Sequence, residues 1–212
     1  MTYFADVGAL ARKDLLLELR ARDTLPAMLL FVVSTLVVFH FALPAHSSEL
    51  AATGLLWVAL LFTALLGLSR AFAAEREQGV IDGLVLAPSD RSAIWLGKAL
   101  SILAFLALAE VIALPAYGLF FRPVNGALVG GVALADVGIA AVGTLLAAMA
   151  TASRARELLL PLLFLPLVIP VVVGGVGASI AEEPARYLGL LGLYDALFAI
   201  ICWASFEYVV TE

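Results

Sequence analysis

Three acidic side chains lie within stretches that are otherwise apolar: Glu110, Asp136 and Asp195. A carboxyl group in such a setting can carry a proton, or it can join two helices by a hydrogen bond. If these stretches are membrane helices, each acid lies about nine or ten residues from the outer end, roughly 15 Å at the helical rise. An acid facing lipid at that depth is costly, so all three are predicted to face the protein interior. A polar, proton-carrying site and plain interhelical hydrogen bonding both remain open.

Two histidines, His40 and His46, are candidate metal ligands. Imidazole is the commonest metal ligand, but two isolated histidines do not make a ligand set, and an interfacial polar role is favoured for both. The single cysteine, Cys202, is interpreted as a packing residue rather than a reactive thiol. The sequence therefore predicts no metal site and no directly bound cofactor.

Motifs for catalysis and nucleotide binding are absent from the sequence. It has no G-x-x-x-x-G-K-S/T loop to hold phosphates, and neither H-E-x-x-H nor G-x-S-x-G. An intramembrane enzyme is therefore disfavoured. The formal net charge of −5 argues against nucleic acid as a partner.

Composition locates the helices that must carry these residues. Of the 212 residues, 64% are apolar and 14% are charged, whereas soluble domains average about 45–50% apolar. Six stretches are long enough to cross a bilayer as helices. They fall near residues 25–43, 50–70, 94–120, 126–150, 158–180 and 187–210. The sequence predicts an all-α membrane protein with six transmembrane helices in one domain over residues 1–212.

Basic residues are distributed unequally between the two ends of these stretches. Of the 12 Lys and Arg residues, all but Arg122 and Arg186 fall in the N-terminal tail, the 70–98 connection and the 151–157 connection. By the positive-inside rule, both termini are predicted to be cytoplasmic.

The N-terminal segment before the first span is predicted to be an interfacial helix. In residues 5–22, Leu15, Leu16 and Leu19 fall on one side at helical spacing, although Arg12 falls there too. Such a helix is expected to lie along the inner surface of the membrane.

The fifth span contains three prolines, Pro161, Pro166 and Pro170, followed by a glycine-rich stretch. Proline removes a backbone donor and clashes with the preceding turn, so a kink or a locally unwound region is expected. This is interpreted either as a hinge or as ordinary proline in a membrane helix.

The connection between spans two and three contains a compact charged segment, Glu75-Arg76-Glu77-Gln78-Gly79-Val80-Ile81-Asp82-Gly83-Leu84-Val85-Leu86-Ala87-Pro88, called here the coupling segment. Its apolar residues recur at spacings of one and four, which would give a short helix one apolar side. Pro88 ends that helix, and Ser89 or Asp90 suits the N-cap of the next. Because so short a helix is not stable alone in water, the segment is either a solvated connector or a helix docked on a membrane or protein.

The pattern Glu-Arg-Glu-x-Gly-x-Ile-Asp-x-Leu-x-Leu-Ala-Pro resembles the loop of ABC-2-type permeases that seats in a cleft of the ATP-binding subunit. The likeness continues through residues 89–98, the N-terminal residues 13–20 and the proline-rich residues 158–170. With six spans and this length, the chain resembles the CcmB family, the permease subunit of the haem exporter of cytochrome c maturation.

This resemblance implies a non-catalytic subunit of the inner membrane that converts ATP-driven motion of another chain into helix rearrangement. The residues it assigns to ATPase coupling are Glu75, Arg76, Glu77, Gly79, Ile81, Asp82, Leu84 and Pro88. The implied partners are a cytosolic ABC ATP-binding subunit, a second permease copy forming a homodimer, a haem-handling membrane protein and a periplasmic haem chaperone. Haem would be transported or held by a partner, and ATP-driven motion would alternatively release the loaded chaperone. Imidazole ligates haem iron, but His40 and His46 are too isolated to be favoured as haem ligands.

Two other functions remain open from the sequence. A general ABC-2 exporter of a drug or lipid would share the coupling segment. A proton-coupled secondary transporter using Glu110, Asp136 and Asp195 is less favoured, because the six spans show no clear inverted repeat.

Overall fold

The computed structural model shows a bundle of α-helices and describes residues 3–44, 49–72, 75, 90–151 and 156–211. Seven helices lie in these ranges: α1 Tyr3–Ala21, α2 Thr24–Ala42, α3 Glu49–Arg70, α4 Arg91–Phe120, α5 Gly126–Thr151, α6 Arg156–Ile180 and α7 Pro184–Thr211. No strand occurs among the described residues. The prediction of an all-α membrane protein is confirmed.

Six of the described helices, α2 to α7, are long and apolar enough to cross a membrane, which confirms the six predicted spans. The third span begins at Arg91 rather than residue 94, and the sixth at Pro184 rather than residue 187. At the start of α4, the Asp90 carboxylate accepts a hydrogen bond of 2.9 Å from the backbone N–H of Ser92. Asp90 is therefore the N-cap, one of the two candidates from the sequence. Proline likewise suits the first position of α7, where no backbone donor is needed.

Helix α5 lies at the centre of the bundle. In its most apolar window 72% of the residues are buried, compared with 17% for the peripheral helix α2. It packs against α4, α6 and α7, and glycine and alanine line much of its buried surface. Small side chains let the neighbouring backbones approach closely, which is how helices associate without a hydrophobic driving force in lipid.

Trp57 of α3 occupies space left by a glycine of α6. Its ring is buried and lies where a Cβ on Gly175 would be. The indole N–H donates to Ser179 Oγ at 3.3 Å, one turn further along α6. Spans two and five are therefore interlocked by shape and by a hydrogen bond at this residue.

Helix α6 stays helical through Pro161, Pro166 and Pro170. The sequence predicted a kink or a locally unwound region here, but the structure contains one continuous helix over Arg156–Ile180, without local unwinding. A hinge role for the three prolines stays a prediction.

Helix α1 packs along the beginning of α4. Gly97 of α4 is so close to α1 that an added Cβ would lie 2.8 Å from Leu10 Cβ, and Ser101 Oγ donates to the backbone carbonyl of Ala11 at 3.3 Å. On its other side α1 exposes Phe4 and Leu19, the residue types expected at a lipid surface. One face of α1 is thus fixed to span three, while another is available to the membrane.

The turn from α1 into α2 is held by a side chain of α1. Arg22 has a left-handed backbone with φ of 57°, a conformation that costs a non-glycine residue free energy. Glu18 Oε1 compensates by accepting hydrogen bonds from the backbone N–H groups of Thr24 at 2.6 Å and Leu25 at 2.9 Å. These are among the donors left free at a helix start, so Glu18 caps α2 from the preceding helix.

We expect Gly175→Ala to destabilise the bundle by about 1–3 kcal/mol, because the new methyl group would overlap the buried ring of Trp57. Gly54→Ala is the control, since no atom lies within 4 Å of a Cβ at that position, and the better helix propensity of alanine should leave stability equal or slightly higher. Thermal unfolding of both variants in detergent measures the difference. Equal thermal unfolding midpoints for the two variants would show that α3 and α6 are not tightly packed at Gly175.

Candidate functional site

Four charged side chains form a closed ring where α1, α4 and the beginning of the coupling segment meet. Lys13 and Asp14 come from α1, Lys98 from α4, and Glu75 opens the coupling segment. The ion-pair distances around the ring are 3.0 Å for Lys13–Asp14, 3.1 Å for Asp14–Lys98, 2.7 Å for Lys98–Glu75 and 2.5 Å for Glu75–Lys13. The charge ring, as these four residues are called below, alternates in sign and is neutral overall.

The charge ring is largely removed from water. The side chains of Glu75, Lys98 and Asp14 are 3%, 6% and 9% exposed, and only that of Lys13 is more open at 38%. The Lys98 ammonium also donates to the backbone carbonyl of Ala71 at 2.8 Å and lies 4.9 Å from the centre of the Phe72 ring. Lys98 therefore fastens the end of span two to the beginning of span three.

Burial disfavours the charged forms of Glu75 and Lys13, but their partners outweigh it. Burial raises the pKa of Glu75, while the charge of Lys98 and hydrogen bonds from Lys13 and Lys98 bring it below the ordinary 4.5. Burial lowers the pKa of Lys13, while its hydrogen bond to Glu75 and the charge of Asp14 bring it above the ordinary 10.5. Both groups are therefore charged throughout the neutral range.

The pH range over which these two charges stabilise the fold follows from the signs of the shifts. The contribution of Glu75 is present above its ordinary pKa and is lost as the pH falls through the lowered value. The contribution of Lys13 is present below its ordinary pKa and is lost as the pH rises through the raised value. Loss of these two contributions should therefore weaken the docking of α1 at pH values below 4.5 and above 10.5.

The charge ring contains one of the eight residues predicted for ATPase coupling, Glu75. The other seven, and the predicted coupling helix itself, lie outside the described residues: Arg76, Glu77, Gly79, Ile81, Asp82, Leu84 and Pro88. The sequence reasoning missed the ring as a unit. The sequence did contain one signal for it: Lys98 lies about two turns inside an apolar helix, and a buried lysine requires an acidic partner.

The intramembrane acids do not form a single group. Glu110 of α4 and Asp136 of α5 are hydrogen-bonded through their carboxyl groups, and a hydrogen bond between two carboxyl groups uses a proton carried by one of them. Both line a cavity of about 10 Å³ together with Trp57 of α3 and Val171 of α6. That volume is near the minimum for one water molecule. Two of the three predicted acids thus meet at the junction of spans two to five.

Asp195 of α7 packs against another side of α5. Its Oδ1 fits against Gly138, where a Cβ would lie 2.6 Å away, and Gly138 is turned by about 200° from Asp136 around the helix. Neither carboxylate oxygen of Asp195 accepts a hydrogen bond from the described residues, although the side chain is buried. Asp195 is therefore separate from the Glu110–Asp136 pair, and the structure does not bring the three acids together.

Of the two histidines, only His40 lies within the described residues. The exposed ring of His40 lies at the far end of the bundle from the charge ring, with Nδ1 2.9 Å from the backbone oxygen of Phe120. His46 lies outside the described residues. Cys202 is buried in α7, as expected of a packing residue.

We expect Glu75→Gln to release α1 from α4, because it leaves the buried ammonium of Lys98 with one acid instead of two. Breaking a buried ion pair in this way typically costs about 3–5 kcal/mol. Amide hydrogen exchange should rise across α1. The control is Arg91→Gln, which breaks the exposed Arg91–Glu207 pair at 3.4 Å and should cost less than about 1 kcal/mol. Unchanged exchange in α1 would show that the charge ring does not hold it.

We expect Glu110→Gln to leave the protein folded and active, because the amide can still donate a hydrogen bond to Asp136. Glu110→Leu removes that bond and should cost around 0.6 kcal/mol or more. Thermal unfolding and cytochrome c maturation in cells lacking the native gene are the measurements. A folded but inactive Glu110→Gln chain would contradict a purely structural pair and indicate that the acid must carry a proton.

Comparison with known proteins gives a consistent result over nearly the whole chain. The family model described as CcmB protein matches residues 6–205. Heme exporter protein B of Rhodobacter capsulatus is 32% identical over 209 residues, covering 93% of this chain and 95% of the relative. Heme exporter protein B of Paracoccus denitrificans is 33% identical over 207 residues, with the same coverage of both chains. The relative of that name from Bradyrhizobium diazoefficiens is 30% identical over 210 residues, covering 96% and 92%. This chain belongs to the CcmB family.

Proposed function

We propose that this chain is the permease subunit of an ABC transporter for haem export in c-type cytochrome maturation. The proposal takes its substrate from the relatives named heme exporter protein B. The observation that carries the mechanism is the charge ring, because it joins the first residue of the coupling segment to α1 and α4 through buried ion pairs. The chain itself is non-catalytic, and a cytosolic ATP-binding subunit hydrolyses ATP.

The charge distribution sets the proposed orientation. The charge ring and most Lys and Arg residues lie at one end of the bundle, while Arg122 and Arg186 lie at the other. With the basic end in the cytoplasm, both termini and the coupling segment face the ATP-binding subunit. The membrane is the cell inner membrane, and the opposite end of the bundle faces the periplasm.

In the proposed mechanism, closing of the ATP-binding subunits moves the coupling segment, and the charge ring passes that motion to α1 and α4. Spans two, three and five, which are α3, α4 and α6, then repack, with α3 and α6 interlocked by Trp57 at Gly175. Two discrete packings of these helices would give inward-facing and outward-facing states. Pro161, Pro166 and Pro170 are the proposed hinge, since each leaves a carbonyl of α6 without its usual donor.

The proposed assembly contains two copies of this chain, so that a pair of ATP-binding subunits acts on a pair of permeases. A haem-handling membrane protein and a periplasmic haem chaperone complete it. Haem is either moved by the permease pair or stays on a partner, in which case the helix rearrangement releases the loaded chaperone. In both versions this chain supplies motion rather than chemistry.

We expect Glu77→Lys to weaken binding of the ATP-binding subunit, because it reverses a charge within the coupling segment while leaving the spans unchanged. Deletion of residues 79–84 should abolish that binding. Glu182→Lys is the matched control, since it makes the same charge reversal at the opposite end of the bundle. The measurement is recovery of the ATP-binding subunit with the tagged chain, purified from its native membrane in mild detergent, together with the ATP hydrolysis of the complex.

Insertion of each variant is checked from its yield in the membrane fraction. If the deletion variant is inserted and still recovers the ATP-binding subunit in full, the coupling segment does not dock it and the proposed mechanism is wrong. If the wild-type chain recovers an ATP-binding subunit but no haem-handling protein, the assignment becomes a general exporter of the ABC-2 type.

A further inference from the structure

The imidazole of His40 is held in one tautomer by the end of span three. A backbone carbonyl can only accept a hydrogen bond, so the contact of 2.9 Å between His40 Nδ1 and the Phe120 oxygen places the proton on Nδ1. Phe120 is the last residue of α4, and its carbonyl is one of those without a partner inside the helix. In this tautomer Nε2 carries the free lone pair, and the imidazole as a whole is exposed.

The surroundings of His40 are aromatic and accessible. The rings of Phe120, Phe41 and Phe121 have centroids 5.3, 5.4 and 5.8 Å from that of the imidazole. Phe41 is 82% exposed, and the imidazole is itself exposed. Capping α4 explains the role of Nδ1, but it does not require an exposed imidazole beside the exposed ring of Phe41.

An ionic group lies close to the same helix end. Arg122 follows Phe120 by two residues, and its guanidinium pairs with Glu49 of α3, whose side chain is 65% exposed. An exposed ion pair of this kind contributes little free energy, so the guanidinium can exchange Glu49 for another carboxylate. Imidazole, aromatic rings and an exchangeable guanidinium thus occur together at the end of span three.

We propose that His40 is an axial ligand for the iron of haem at the periplasmic end of this chain. The proposal deepens the function above and rests on it. Coordination forms a bond from Nε2 to iron without oxidation or reduction. The hydrogen bond from Nδ1 to a backbone carbonyl orients the ring and increases its basicity, as it does for histidines that ligate metals. The phenylalanine rings contact the apolar macrocycle, and Arg122 pairs with a propionate carboxylate.

The test uses the purified full-length chain in lipid nanodiscs, with haemin as the probe and protein-free nanodiscs as the baseline for haemin dissolved in lipid. The wild-type chain should give a saturable shift of the Soret absorption band, the signature of imidazole coordination. His40→Asn retains an amide N–H near the position of Nδ1, so the hydrogen bond to Phe120 is kept, but it has no atom in place of Nε2. It should keep the thermal midpoint of the wild type and lose the Soret shift.

Two further variants separate ligation from structural effects. His40→Ala should also lose the shift, and added imidazole should restore it by occupying the space of the missing ring. His46→Asn, which removes the other histidine of the chain, should keep the shift. A wild-type response from His40→Asn, loss of the shift in His46→Asn, or an equal shift in protein-free nanodiscs would each overturn the assignment.

Recovery of the ATP-binding subunit, measured on the same variants, keeps the two proposals distinguishable. If His40→Asn recovers that subunit normally and also retains the Soret shift, the His40 site is wrong and the permease function stands. If the wild-type chain shows a His40-dependent shift but recovers no ATP-binding subunit, the permease function is wrong and the haem site stands.

Discussion

Lys98 places a positive charge where α1, α3 and α4 meet, and the packing at that end of the bundle depends on how this charge is balanced. A buried ammonium without a partner would cost several kcal/mol. Asp14 and Glu75 supply two negative charges and Lys13 a second positive one, so the cluster is neutral. Because these residues come from three parts of the chain, their balance fixes α1 against α4 and places residue 75. The lack of a side chain at Gly97 lets α1 approach closely enough for the ring to close.

A buried ion cluster is weak evidence for stability as such, since apolar residues of similar volume often serve as well. Its value here is geometric. A helix held by apolar contact alone can slide along its neighbour, whereas four alternating charges permit one register. The proposed transfer of motion from a partner to a membrane helix needs such a fixed register. The exposed Arg91–Glu207 pair, 3.4 Å apart, joins α4 to α7 at the same end without this constraint, because water can replace either partner.

The spans were predictable because hydropathy reports burial in lipid directly, and Asp90 was a recognisable N-cap. The partners of individual side chains were not predictable, because they depend on which faces of the helices meet. Gly126 and Gly130 have the four-residue spacing typical of close helix packing, but a Cβ at either position would meet open space or only an ordinary contact. Gly143 and Gly175, in contrast, adjoin large buried side chains. Similarly, equal depth suggested one group of three acids, but rotation around α5 separates Asp195 from Asp136. Depth is encoded along the sequence, while rotational position is fixed by tertiary packing.

Helix α4 connects the three features on which the proposed functions rest. Lys98 lies near its beginning, Glu110 near its middle and Phe120 at its end, which at the helical rise places them about 18 Å and then 15 Å apart. The charge ring holds Lys98, and the carboxyl pair with Asp136 holds Glu110. The hydrogen bond from His40 holds the carbonyl of Phe120. Pro115 is the one proline inside α4, and it lies between the acid pair and the His40 contact. A displacement at the ring can therefore reach the acid pair along an unbroken run of backbone hydrogen bonds, and any bending on the way to His40 would be concentrated at Pro115.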